Sequence, residues 1–305
     1  MHYDENTFVE WLRHNIKASP FASISIGDDA ALLQSNQLQS LVATDMLLEN
    51  IHFKLSDTAP QLIGRKAVAV NFSDIAAMGG TPTSVFISLA VSKHLDATCI
   101  ESLMLGAQEL CAEFNCGIDG GDTNSWDGPF AINVTVTGQP HCRGVITRSG
   151  AQAGDVVMVS GCSLGGSYQS GKHLSFTPRI REAQWLLDHF TIHSMMDLSD
   201  GLATDARRLA KASNKKLIFE ASQIADDGLG LRHAFCDGED FELLFTCDEA
   251  TATMIEANAS WPCGFRRIGS VSDGNGVFIA QSGQIDPIPV NWTGWVHPMS
   301  TNSGQ

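Results

Sequence analysis

Ala67-Val68-Ala69-Val70-Asn71-Phe72-Ser73-Asp74-Ile75-Ala76-Ala77-Met78-Gly79-Gly80 is apolar around nearly its whole circumference, yet it carries a carboxylate in its middle. Pro60 predicts the start of this helix and Gly79-Gly80 its end, with Leu62, Ile63, Ala67 and Val70 on the inward face. Asn71 and Asp74 lie three apart and share a side. A carboxylate in so apolar a helix seldom lacks a partner, so Asp74 reads as functional, against the plainer reading of a solvated residue. Outward from this helix, strands are expected at 23–26, 41–44, 84–91 and 130–138, with a helix at 97–115. A further strand leads into Gly120-Gly121-Asp122. Near the start, Phe8, Trp11, Leu12 and Ile16 fall on one face of a short helix.

Past Gly138 the texture changes. Residues 139–154 are rich in glycine and polar side chains and hold Arg143 and Arg148, as a linker would. Strands are then expected at 155–160, 192–196, 217–220, 241–247, 266–271 and 277–280, with helices at 178–190 and from Gly201 to about 213. The chain divides on this reading into an N-terminal domain (1–138), the linker (139–154) and a C-terminal domain (155–305). The fold class is α+β (mixed α/β).

Acidic motifs recur beside glycines or at expected strand ends: Gly27-Asp28-Asp29, Thr44-Asp45, Asp74, Gly120-Gly121-Asp122, Asp197-Leu198-Ser199-Asp200-Gly201 and Gly238-Glu239-Asp240. Gathered carboxylates raise one another's pKa and need a cation, and magnesium with its phosphates is the usual one. Each motif also has a plainer reading. Gly120-Gly121 suits close approach of a backbone to a ligand, or an ordinary turn. Asp200 or Ser199 suits a helix N-cap, although that leaves Asp197, directly after Met195-Met196, unexplained. His52 is equally a packed or surface histidine, and Trp295 a core aromatic. Gly166-Ser167-Tyr168-Gln169-Ser170-Gly171-Lys172-His173 nearly matches a phosphate-binding P-loop. Its last position lacks the hydroxyl that binds magnesium, and Pro178 follows too soon for a good helix, so it reads as a chance match.

Composition narrows the field. The 305 residues suffice for two domains, and 43% apolar with 17% charged residues is a globular balance. A net charge of −15 without a basic stripe argues against a nucleic-acid partner. No apolar run approaches a membrane span, so no membrane partner is expected. The eight cysteines form no CxxC pair and the start, Met1-His2-Tyr3-Asp4-Glu5, is acidic, which predicts reduced thiols and a cytoplasmic location. The ten histidines show no zinc spacing.

In their order, these motifs resemble the thiamine-monophosphate kinases, a family allied to aminoimidazole ribonucleotide synthetase, selenophosphate synthetase and a hydrogenase maturation factor. The likeness runs from Ile26 to Trp295 through Ile26-Gly27-Asp28-Asp29, Thr44-Asp45 with His52-Phe53, the stretch 69–79, Gly120-Gly121-Asp122-Thr123, Thr147-Arg148-Ser149-Gly150, Met196-Asp197-Leu198-Ser199-Asp200-Gly201 and Gly238-Glu239-Asp240-Phe241-Glu242-Leu243. It implies an N-terminal domain whose strands form a barrel across a homodimer, and an α+β C-terminal domain. By resemblance, Asp29, Thr44, Asp45, Asp74, Asp122, Asp197 and Asp200 share several magnesium ions, with Asp45, Asp122 and Asp200 as catalytic residues. Gly121, Asp122, Arg148 and Ser199 contact ATP, and His52, Glu239 and Trp295 hold thiamine monophosphate.

The chain departs from the family in a shortened stretch between Gly161 and Pro178, in Leu174-Ser175-Phe176-Thr177 for an arginine-proline run, in Cys236-Asp237 before Gly238, and in Asn124 for a common threonine. The expected reaction is direct in-line transfer of the ATP γ-phosphate to thiamine monophosphate, giving thiamine diphosphate. The alternatives are another ATP-dependent enzyme of the superfamily with a different acceptor, or a non-catalytic protein binding nucleotide or thiamine phosphate. Against the selenide enzymes, the first cysteine is Cys99; against the maturation factor, the chain ends Ser303-Gly304-Gln305.

Overall fold

The computed structural model describes residues 11, 14–17, 22–24, 32–33, 40–225, 228–258, 261–281 and 286–295. Phe8, Leu12 and the Gly27-Asp28-Asp29 motif, with its candidate metal ligand Asp29, lie outside the described residues. The chain forms two compact units, Met1–Val145 with Leu174–Asp188, and Ile146–His173 with His189–Gln305.

The first unit opens with an antiparallel ribbon of β1 (Ala22–Ile24) and β2 (Leu32–Leu33). Its main sheet is built from β3 (Leu41–Leu48), β4 (Thr81–Ser92), β5 (Gly117–Trp126) and β6 (Ala131–Gln139), in the order β3-β6-β4-β5. Helix α1 (Pro60–Ala77) joins β3 to β4, and α2 (Ala97–Glu113) is the crossover between the parallel pair β4 and β5. Pro60 sits in the first turn of α1, where its missing N–H is not needed. At the far end Gly79, at φ 71, lets the Gly80 N–H reach back to the Ile75 carbonyl at 2.8 Å, a left-handed C-cap. The helices touch backbone to backbone: a Cβ on Gly64 would lie 1.9 Å from the Leu103 carbonyl oxygen, and one on Gly106 2.0 Å from that of Gln61. Val85, Ile87, Leu89, Ile132, Val134 and Val136 are buried in this unit with α1's Phe72 and Ile75. On β3, by contrast, Val42 and Met46 remain 66% and 56% exposed.

The chain continues through β7 (Val156–Ser160) and two single helical turns, α3 (Ser167–Ser170) and α4 (Lys172–Ser175). It then returns to the first unit as α5 (Ile180–His189). Gln184 explains the return: its Nε2 donates to the Gly79 and Gly80 carbonyls at 2.7 and 3.2 Å, satisfying groups at the end of α1. Arg181 covers the Phe114 ring at 5.5 Å. The expected domain at 155–305 is therefore interrupted, because periodicity marks a helix but not the unit it packs on.

The second unit holds β8 (Ser194–Asp197), α6 (Leu202–Ser213), β9 (Lys216–Glu220), α7 (Leu231–Cys236), β10 (Leu243–Cys247), α8 (Glu249–Ala257), β11 (Phe265–Ser272), β12 (Gly276–Ala280) and β13 (Ile288–Pro289). Among the described residues its strands form one sheet in the order β13-β12-β9-β11-β7-β10-β8, antiparallel except for β12 beside β9. Helix α6 lays Leu202, Ala206 and Leu209 into a core with Val157, Val159, Leu198, Phe219, Phe235 and Ile268. The mixed α+β class and two-unit plan expected from the sequence are those observed; α3, α4, α7, α8 and β13 were not anticipated.

Candidate functional site

In the first unit, Thr44 and Asp45 are neighbours on β3 and so point to opposite sides of the sheet. Thr44 meets β6 on the open side: its Oγ1 lies 2.9 Å from Thr135 Oγ1, and Asn133 Nδ2 donates to it at 3.3 Å. Asp45 pairs in register with buried Val134. Asp74 projects, half-buried, from α1, whose neighbouring Ser73 and Ile75 are buried.

Asp122 was expected past the end of a strand. It lies instead within β5, opposite Ser88 of β4. The strand runs on because Gly121 permits contact that no side chain would: a Cβ there would lie 1.7 Å from the Ile87 carbonyl oxygen. This glycine serves sheet pairing. Register aligns Met46, Asn133, Ser88 and Asp122 in one row, a single step from the row of Asp45, Val134, Ile87 and Gly121. Asp122 thus shares the side of Thr44. Its Oδ1 accepts the Thr123 N–H and its Oδ2 the Asn124 amide, both at 2.9 Å, so Asn124 orients this carboxylate.

His52 follows β3 in a turn. Its Nδ1 accepts the Leu48 N–H at 2.9 Å, which puts the ring proton on Nε2. Its carbonyl is held at 2.8 Å by Nζ of Lys66, a fully buried lysine of α1.

In the second unit, three stretches far apart in sequence meet at the end of β8. Asp197 is its last residue and is buried. The Leu198 carbonyl accepts the Phe241 N–H at 2.8 Å and the Ser199 carbonyl the Glu239 N–H at 2.7 Å. The next carbonyl, of Asp200, accepts the Trp295 N–H at 2.9 Å. Ser199, Asp200, Glu239 and Trp295 are thereby assembled on one backbone segment. Gly294 allows the last contact, since a Cβ there would stand 1.8 Å from the Asp200 oxygen. Trp295 is 51% exposed and so is no core aromatic. Arg148, also exposed, lies in a stretch stitched to β8 and α6: Met195 N–H to the Thr147 carbonyl and Ser213 Oγ to the Arg148 carbonyl, both 3.0 Å.

Neither Asp200 nor Ser199 caps α6; Gly201, at φ 96, takes that place. The Asp200 backbone N–H is met by the Asp205 carboxylate at 2.9 Å. Arg208 reaches the Asp200 carboxylate at 2.6 Å and that of Asp205 at 2.8 Å. Burial, then the charge of Asp197, push the Asp205 carboxyl up to about 7. Asp205 and Arg208 were missed from sequence; their spacing of three on one helix face was the available signal.

The P-loop resemblance fails for a structural reason. Gly165 and Gly166, just before and at its start, give their N–H groups to the Asp240 and Asp237 carboxylates at 2.9 and 3.0 Å, and within it Ser170 N–H goes to the Gly166 carbonyl, Gly171 N–H to the Tyr168 carbonyl and Lys172 N–H to Ser170 Oγ.

Among the described residues no three carboxylate, imidazole or thiol groups converge as a ready metal cage. Asp197, Asp200 and Asp205 lie close together, with Arg208 reaching the last two.

The AIR synthase related protein family matches by its N-terminal domain over residues 27–139 and its C-terminal domain over 145–281. The thiamine-monophosphate kinase of Rhodopirellula baltica is 33% identical over 296 residues, 90% of this chain and 91% of that one. Its Bacillus subtilis counterpart is 34% identical over 251 residues, 73% and 77% of the two chains. Among solved structures, thiamine-monophosphate kinase from Stenotrophomonas maltophilia is similar at TM-score 0.76 and 29% identity, covering 92% of this chain and 96% of that one. AaThiL complexed with AMPPCP and TMP is similar at TM-score 0.71 and 27% identity, covering 95% and 96%.

Proposed function

The chain belongs to the AIR synthase related protein family, and on that premise we propose that it transfers the γ-phosphate of ATP to thiamine monophosphate, giving thiamine diphosphate and ADP. The observation that carries the reading is the convergence on Leu198–Asp200 of two loops bearing Glu239 and Trp295, beside the buried Asp197.

A phosphate monoester has a second pKa of about 6, so at neutral pH its oxygen is already a nucleophile and needs no general base. The residues' task is to align two polyanions and lower their repulsion. Trp295 offers an exposed ring on which an aromatic acceptor can stack, and Glu239 a carboxylate for its cationic or amino groups. His52, protonated on Nε2, is the donor suited to the acceptor phosphate. Arg148, Ser199 and the Gly121–Asp122 backbone are assigned to ATP. Asp29, Thr44, Asp45, Asp74, Asp122, Asp197 and Asp200 are assigned to magnesium, with Asp45, Asp122 and Asp200 catalytic. Bound magnesium would neutralise the β- and γ-phosphates for an in-line displacement. Asn124 and Arg208 orient two of these carboxylates.

The same reading makes the protein a homodimer whose β3-β6-β4-β5 sheets meet at the edge strand β3, supported by exposed Val42 and Met46 on that strand. It also sets the reaction in the cytoplasm, supported by eight free cysteines. No described helix is long and apolar enough to cross a membrane.

The test is thiamine diphosphate formation from ATP, thiamine monophosphate and magnesium, with thiamine and metal-free controls. Product only from the monophosphate and only with magnesium is expected. ATP binding without product would overturn the reading. Chiral γ-phosphate should emerge inverted; retention would exclude direct transfer.

A further inference from the structure

The stretch 165–173, which contains the phosphate-loop look-alike 166–173, directs its polar groups at one place: the carboxylates of Asp237, Glu239, Asp240 and Glu242. Besides the glycine amides already described, Ser167 Oγ donates to Asp240 at 2.5 Å. Lys172 Nζ lies 3.5 Å from Glu242 Oε1, and Ser160 Oγ donates to Glu242 Oε2 at 2.7 Å. His173 Nδ1 stands 2.9 Å from Glu239 Oε2. The imidazole is buried, and Tyr168 stacks on it at 4.6 Å and 24°. Tyr168 is itself 44% exposed.

The target of this scaffold is held in an unusual shape. Glu239 and Phe241 have φ of 65° and 50°, a left-handed region that non-glycine residues seldom adopt. Such backbone persists where its surroundings over-determine it, which is common at ligand sites. Here Asp240 and Glu242 are buried anchors, while the Glu239 side chain keeps 20% exposure. The loop is tied down on both sides and one carboxylate is left at the surface, with one oxygen fixed by a buried donor.

We propose that His173, backed by Tyr168, is an acceptor-specificity residue: by fixing the direction of the Glu239 carboxylate it sets affinity for the cationic, aromatic acceptor and not for ATP. This rests on the reading of Glu239 as an acceptor ligand. His173 touches no reacting atom and is a positioning residue.

The test compares the wild-type protein with His173→Ala, His173→Asn and Tyr168→Ala by calorimetry with thiamine monophosphate and with a non-hydrolysable ATP analogue, and by steady-state kinetics. Loss of one hydrogen bond to a charged group predicts about tenfold weaker thiamine monophosphate binding for His173→Ala, with a larger change in KM for that substrate than in kcat. Analogue affinity should hold. His173→Asn, whose amide nitrogen occupies the place of Nδ1, should recover most of the loss. Tyr168→Ala alters a half-exposed ring and should weaken acceptor binding less, in the same direction. Normal wild-type binding with His173→Ala unaffected, or with both ligands weakened equally, overturns the proposal alone. A wild-type protein that binds no thiamine monophosphate overturns the kinase reading and the proposal with it.

Discussion

Asp240 should make the second unit lose stability as the solution becomes less acidic. The residue is 1% exposed and accepts from Gly165 and Ser167. Burial, partly offset by those hydrogen bonds and by Lys172, pushes its carboxyl from 3.8 up to about 6, with Glu242 adding to the rise. A shift of roughly two units corresponds to about 3 kcal/mol. The folded protein holds this proton more tightly than the unfolded chain. Its stabilising contribution is therefore complete below about pH 4 and lost as pH rises through about 6. Roughly 1 kcal/mol of that loss should fall between pH 5 and 7, above the sequence pI of about 4.9. Urea unfolding at pH 5, 6 and 7, followed by tryptophan fluorescence, would compare the wild-type protein with Asp240→Asn. Asp205, raised to about 7, acts with the same sign but is common to both proteins and cancels in the difference. The wild type should lose stability relative to the variant as pH rises. A pH-independent difference, or one of opposite sign, would refute the reasoning.

Asp45→Asn and Asp122→Asn should each cut turnover by about a hundredfold or more while leaving the melting temperature near that of the wild type. Near-normal rates at low magnesium would remove them from the metal set. Gly121→Ala, which would place a methyl 1.7 Å from the Ile87 carbonyl oxygen, should cost about 3 kcal/mol in denaturant titration; a neutral result would mean that β5 separates easily from β4. Val42→Asp with Met46→Asp should convert a dimer to a monomer in light scattering. A wild-type monomer, or a variant that still dimerises, would refute the β3 interface.

Local chemistry explains what was legible. Pro60 and Gly79-Gly80 bound α1 because ring geometry and left-handed backbone are properties of those residues alone. Alternation found β6 because it has one buried side. The oddity of Asp197 was visible as a charge following an apolar run. Where the sequence left alternatives open, a distant partner decided the outcome. Gly120-Gly121 suited either approach to a ligand or a turn, but Gly121 answers to the Ile87 carbonyl on another strand. Asp200 looked like an N-cap, but Asp205 satisfies its amide from within the helix. The decoy P-loop matched in spacing, whereas the fate of its amides depends on carboxylates some 70 residues away.

By itself the sequence determined the class of elements, the acidic character of the site and the family resemblance, since these follow from residue type, period and order along the chain. Only the tertiary structure decided that α5 belongs to the first unit, that Asp122 shares the side of Thr44, and that Glu239 and Trp295 hang from consecutive carbonyls of Ser199 and Asp200. The physical reason is that a backbone carbonyl carries no sequence signature. Which N–H it accepts is settled when the chain closes on itself.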